Sequence, residues 1–359
     1  MQSWRRSVAV TSAAAFLVAS LWSGGLLAQQ SKQDKKQSKD EKKEVQTLVK
    51  LVDGVMAGQP APADFSVSWS DNFMKATEGK TYVPFTLTMD TSKLANPGMA
   101  MYFRVVPKAG ATTEAAPAAA STDKDKDKDK DKDKKKGSQY PFEDVHFFQA
   151  TTGPQPFQLS RAFAVPAGDY DVYVALQDDA GKDSKSPQQT TVLKQSVSVP
   201  DLWNGKLSTS SIILAQRVER LTAPLSADEQ ADHPYVIGNA QIVPETSSKL
   251  AKSGQLSLIF MIYNTGIDAT TKKPNVTVEY EFYQKTNGAE KFFNKTSPQD
   301  FNAQTLPPGF DPAAGHQLVA GQTVPLATFP VGDYRLNIKV TDKTSGASIT
   351  KDVNFSVVS

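Results

Sequence analysis

Residues 166–178 read PAGDYDVYVALQD, and residues 330–342 read PVGDYRLNIKVTD. Each stretch opens Pro-x-Gly-Asp-Tyr, continues with apolar residues at alternate positions and closes on Asp. Pro166 with Gly168, and Pro330 with Gly332, are turn residues, because proline presets φ and glycine accepts a positive φ without a Cβ clash. The tyrosine four places after each proline then begins a strand. Side chains alternate along a strand, so Tyr170, Val172, Val174 and Leu176 share one face, as do Tyr334, Leu336, Ile338 and Val340. A tyrosine at the entry to a penultimate strand, set to bond its hydroxyl back to the preceding loop, is a tyrosine corner. The repeat therefore reads as structural: two similar β domains, each holding its crossover with one corner.

Working outward, the same period of two recurs. Val83, Phe85, Leu87 and Met89 form one half-buried strand, and Met99, Met101, Phe103 and Val105 another. Phe65–Trp69 precedes them as a first strand, with a turn at 77–80. Strand patterning resumes at Val145–Phe148 and Phe157–Val165 and closes at Ser196–Val199, before Pro200 and Asp201 mark a boundary. A second set runs through 211–214, 235–243, 256–263, 276–283, 291–293, 317–326 and 349–357. Residues 221–234 read as a polar connection, with no helix in this half. The expected class is all-β: two immunoglobulin-like antiparallel sandwiches, residues 62–200 and 201–359.

The remaining segments are of other kinds. Arg5 and Arg6 precede an apolar stretch from Val8 to Leu27 that closes at Ala28, the layout of a signal peptide for general secretion over residues 1–28. Leu26 is large for a cleavage site, which leaves an uncleaved anchor as the alternative. Residues 29–61 comprise a polar arm and an amphipathic helix: Ser38 and Glu41 have capping-box spacing, and Val45, Leu48, Val49, Val52, Val55 and Met56 fall on one helical face. That stripe packs on the adjacent domain, or else docks a partner or pairs with itself. Residues 108–139 interrupt the first domain with an Ala/Thr/Pro stretch and the run DKDKDKDKDKDKKK. With nothing apolar to bury, this insertion is expected to be disordered, a mixed-charge spacer rather than a calcium loop, since each Asp alternates with a repelling Lys.

Composition excludes several functions. The chain has no cysteine, so thiol catalysis and cysteine metal sites are out and the fold relies on core burial. Its 40 basic and 38 acidic residues become balanced once Arg5 and Arg6 are removed, leaving no electrostatic footprint for nucleic acid. After the signal no apolar run reaches the ~18 residues needed to span a bilayer. A membrane barrel is disfavoured because Arg335, Asn337, Lys339, Glu279 and Glu281 would face lipid. The histidines, His146, His233 and His316, lack metal-ligand spacing and read as structural. Gly79-Lys80-Thr81 lacks the first glycine of a phosphate loop. Asp178-Asp179 and Glu279/Glu281 sit at a strand end and on a solvated face, not in a cleft. No catalytic, cofactor or metal residue is assigned.

The Pro-x-Gly-Asp-Tyr corners resemble those of the immunoglobulin-like, polycystic-kidney-disease-like and fibronectin type III modules of bacterial extracellular proteins. With DLWNGKLSTSSIILA at 201–215 and PYVIGNAQIVP at 234–244, the second half is similar to secreted proteins of acidobacterial type, though without the Gly-Trp-x-Thr-Asp signature some of them carry. The resemblance implies sandwich domains and brings no settled activity. The expected function is an exported, non-enzymatic binding or structural module of the bacterial envelope, periplasmic or extracellular, acting through an envelope or extracellular protein. The alternative is a polysaccharide or cell-wall binder. Trp203, Tyr173 and Tyr283 are the candidate contacts, with Trp203 also suited to plugging the seam between domains.

Overall fold

A computed structural model describes residues 39–92, 94, 96–108, 139–179, 187–223, 225–286 and 288–359. The expected signal peptide, the polar arm with Ser38 and all but the ends of the Lys/Asp insertion lie outside the described residues. Helix α1 spans Lys39–Met56. The first domain has β1 (Val67–Asp71), β2 (Met74–Lys75), β3 (Thr81–Met89), β4 (Gly98–Pro107), β5 (Phe142–Gln149), β6 (Phe157–Val165), β7 (Gly168–Asp178) and β8 (Thr190–Val199). The second has β9 (Ser208–Thr209), β10 (Ile213–Arg220), helix α2 (Ala227–Asp232), β11 (Val236–Ile237), β12 (Ala240–Pro244), β13 (Lys249–Ala251) and β14 (Gln255–Tyr263). It continues with β15 (Val276–Thr286), β16 (Ala289–Lys295), β17 (Gln299–Phe301), β18 (Leu318–Pro325), β19 (Gly332–Asp342) and β20 (Ser348–Val358).

The chain is all-β, built as two antiparallel sandwiches. In the first, β1 and β2 follow one another along one side of β3, β6 pairs its other side, and this sheet faces the sheet β5-β4-β7-β8. In the second, β9 and β10 follow one another along one side of β14, β18 pairs its other side, and the facing sheet runs β13-β20-β19-β15-β16. The order is the same in both, as the repeated corner implies. Alternation fills each core: Phe85 and Leu87 meet Met101, Phe103, Val172 and Val174 in the first, and Leu256, Phe260 and Ile262 meet Val278, Tyr280, Leu336 and Ile338 in the second. Each such side chain contributes about 1.5–3 kcal/mol by leaving water.

Three features differ from the simple pattern. First, β4 and β7 are buried on both faces, because α1 lies across them. Leu48 and Val52 pack on Ala100, Tyr102, Tyr173, Ala175 and Val192, the alanines letting the helix approach closely. Asp53 pairs with the buried Arg104 at 2.6 Å, whose Nε donates to the Tyr102 hydroxyl at 2.7 Å. Gly58, at φ 93°, then ends the helix.

Second, the polar connection expected at 221–234 contains helix α2. Ser226 caps it, and Glu229 bonds back to the Ser226 N–H at 2.8 Å, completing a capping box that outweighs the segment's lack of an apolar stripe. Third, strand β10 outruns the sandwich and pairs with β12, sending residues 215–246 away from the second core and onto the first domain. Tyr235 is buried there, its hydroxyl donating to Asn72 Oδ1 at 3.0 Å. Met74 and Tyr82 meet Ile213, Tyr235, Met261 and Tyr263 in a shared apolar cluster, and the Phe73 N–H donates to Ser211 Oγ at 2.8 Å. Arg161 reaches Asp232 of α2 at 3.2 Å. This seam fastens the two sandwiches together.

Candidate binding surfaces

The two corners have matching geometry. The Tyr170 hydroxyl donates to the Pro166 carbonyl at 3.0 Å and that of Tyr334 to the Pro330 carbonyl at 2.7 Å. Gly168 and Gly332 sit at φ 151° and 149°, a backbone region that side chains resist. Both tyrosine rings are buried, and burial pushes both hydroxyl pKa values up, keeping them neutral donors. The closing Asp of each motif also has a structural task. Buried Asp342 accepts from the N–H groups of Gly266 (2.7 Å) and Thr344 (2.9 Å) and from Ser345 Oγ (2.6 Å). Asp178 accepts from the Gln189 N–H at 2.7 Å. Both carboxylates organise the hairpin that follows.

The three candidate contacts are separated in space. Tyr173 does stand on the outward face of β7, but that face is roofed by α1 and the ring is buried; its expected role as an exposed contact is corrected. Trp203 is fastened to the seam and partly open. Its Nε1 donates to the Lys80 carbonyl at 2.8 Å, Lys75 Nζ lies 4.1 Å from its ring centre, and 42% of the residue remains exposed. Lys75 also donates to Asn264 Oδ1 at 2.9 Å, and partial burial draws its ammonium pKa down. One face of the indole is thus occupied by a cation.

Tyr283 lies on the outward face of the β16-β15-β19-β20 sheet, which no helix covers among the described residues. Its ring meets Phe292 edge-on, 6.0 Å between centres, and the Arg335 guanidinium lies 4.6 Å from its centre. Phe292, which the sequence reading did not single out as a contact, is 56% exposed and is the most exposed aromatic among the described residues. Around this pair Arg335 bridges Glu290 and Asp352, each at 2.8 Å, and Asn337 donates to Asp352 at 2.8 Å. The bond from Arg335 holds the Glu290 carboxyl below the usual range. For Asp352 burial opposes charge, but the bonds from Asn337 and Arg335 prevail and lower its pKa. The result is an aromatic pair set in a fixed ladder of charges.

Groups that chemistry would use are committed to structure. His146 faces Asp144 at 3.2 Å and stacks on Phe103; the His233 N–H closes α2; His316 Nδ1 accepts from the Asp311 N–H at 3.0 Å. Glu281 accepts from the Tyr283 hydroxyl at 2.6 Å, and Glu279 lies 3.9 Å from Lys339. Among the described residues no three His, Asp or Glu side chains converge as metal ligands, and no helix is long and apolar enough to cross a membrane. No protein-family model matches the chain, and no curated protein matches it.

Proposed function

We propose that this chain is an exported, non-enzymatic module of the bacterial cell envelope that acts by binding another protein, with the second sandwich carrying the contact. The observation that supports this reading is the bare β16-β15-β19-β20 face, where Phe292 stands exposed and Tyr283 half-buried beside the Arg335 ladder. An aromatic anchor surrounded by oriented charges suits a protein contact, in which the ring fills a pocket and the rim sets register. Stacking on sugars needs an open ring face. Tyr283 has Arg335 over its ring and Phe292 at a right angle, while Trp203 has Lys75 over one face.

The test uses residues 29–359 as bait for envelope extract, beside the variant Phe292→Ser with Tyr283→Ala. A stoichiometric protein retained by the first and lost by the second supports the reading. Sedimentation of the bait with wall polysaccharide, abolished by Trp203→Ala, would replace it with the glycan-binding alternative.

A further inference from the structure

The last strand of each sandwich begins differently. In the first domain the start of β8 is closed by the chain that enters the fold. The Val192 N–H donates to the Pro62 carbonyl at 2.8 Å, the Asp64 N–H to the Thr190 carbonyl at 3.1 Å, and the Thr190 N–H to Asp64 Oδ2 at 2.8 Å. Ala63 bridges Thr191, and Phe65 inserts into the core, only 4% exposed. Residues 62–65 thus act as a short strand that seals the gap between the sheets.

Strand β20 occupies the same place in the second domain. Val199 pairs with Gly168 and Val357 with Gly332, so residues 348–350 are the counterparts of 190–192. No strand among the described residues pairs with their outer edge, because β13 covers only Ser356–Val358. The Ser356 N–H points outward to the Ser248 carbonyl, and the alternation of a strand aims the backbone groups of Asn354, Asp352, Thr350 and Ser348 the same way. The incoming chain does not seal this edge, since Leu202 is buried at the seam and Trp203 is tied to Lys80. Residues 215–246 lean on the first domain, and of this stretch Pro244 and Glu245 reach the cleft beside the edge without pairing with it. What remains is an open cleft of ≈790 Å³ at the domain seam, whose walls include Ile349, Lys351 and Val353 of β20, Leu214 of β10, and Phe73 and Glu245 from the seam, with Leu207 and Ile212 nearby. The aliphatic side chains among these pack on the core yet stay only partly buried.

We propose that this cleft accepts an extended segment of a partner protein, which adds as a strand along Ser348–Asn354 and seats an apolar side chain between Ile349 and Val353. The inference deepens, and rests on, the reading of the chain as a protein-binding module. Outward N–H and C=O groups alternating at strand spacing are complemented by another extended backbone, not by a sugar or a compact ligand. The first domain supplies the template, with an acid at Asp64 before the inserted Phe65. An inward-pointing lysine ordinarily discourages pairing at an edge. Here Lys351, which makes no ion pair among the described residues, selects a segment that carries a carboxylate beside its apolar residue.

The experiment pans a library of random displayed peptides against the full mature chain and measures the affinity of those enriched, with amide exchange locating them. Enriched peptides should pair a large apolar residue with an adjacent acid and slow exchange at Thr350, Asp352 and Asn354. Thr350→Pro removes an outward N–H where an edge strand tolerates proline, and should weaken binding by about tenfold. Lys351→Glu, which leaves the backbone intact, should turn the enriched charge from acidic to basic. Absence of enrichment, or peptides that bind both variants as tightly as the parent, would overturn strand addition. Peptides that bind both variants but protect β16 instead would overturn it while leaving the protein-binding reading in place.

Discussion

The two sandwiches share strand order, corner and closing aspartate, yet the first is covered and the second is bare. Helix α1 roofs the β4–β7 face of the first, residues 62–65 seal its last strand, and α2 with β11 and β12 leans on its other sheet. The second lends residues 215–246 to its neighbour and keeps an open sheet face and an open edge among the described residues. Unsealed surface on a stable β domain is where partners bind. On the proposed reading, the first domain is the scaffold and the second carries the contact.

The comparison breaks most visibly if the roof is removed. Leu48→Ala should cost the helix contact about 2–5 kcal/mol, since a fully buried leucine would leave a cavity over Ala100 and Tyr173. Amide exchange should then quicken in α1 with β14 and β15 unaffected; an unchanged melting profile would mean the helix is not a structural part of the first domain. A smaller effect sharpens the likeness between domains. Tyr170→Phe and Tyr334→Phe each remove one hydroxyl donor and should each cost about 1 kcal/mol in urea unfolding. A loss confined to one domain would show that the two corners are not equivalent devices.

The smallest effect concerns acid. The carboxyls of Glu290 and Asp352 titrate below their ordinary values in the folded chain, so their contribution is full at neutral pH and above the unfolded range near ~4. It is lost as pH falls through that range and below. Arg335→Met should flatten this part of the acid-unfolding curve; a curve of unchanged slope would mean the ladder adds nothing to stability. These groups are largely exposed, so solvent screening keeps the effect small.

Much of the fold was legible in local pattern. Pro166, Gly168 and Tyr170, with Pro330, Gly332 and Tyr334, announced both corners, because turn chemistry and a period of two are properties of adjacent residues. The stripe from Val45 to Met56 announced a helix with one apolar face. Its docking site was also written, less plainly, in the segment from Met99 to Val106, where both faces of β4 are apolar and Ala100 leaves room for a helix. Tyr173 was misjudged as exposed because that signal was not joined to the stripe. Helix α2 leaves no periodic signal, because its six residues are four polar ones and two alanines, although Ser226 and Glu229 have the spacing of a capping box.

The sequence by itself determined the all-β class, most of the strand segments and the two tyrosines that bond back to their prolines. Those outcomes follow from backbone preferences and side-chain alternation over a few residues. Only the tertiary structure decided which faces are covered. Whether Tyr173, Trp203, Phe292 or the edge of β20 meets solvent depends on where α1 and residues 215–246 come to rest. That placement is set by burial and hydrogen bonding between segments far apart in the chain, from Leu48 against Tyr173 to Asn72 against Tyr235, and local pattern shows at most that a face is apolar, not which segment covers it.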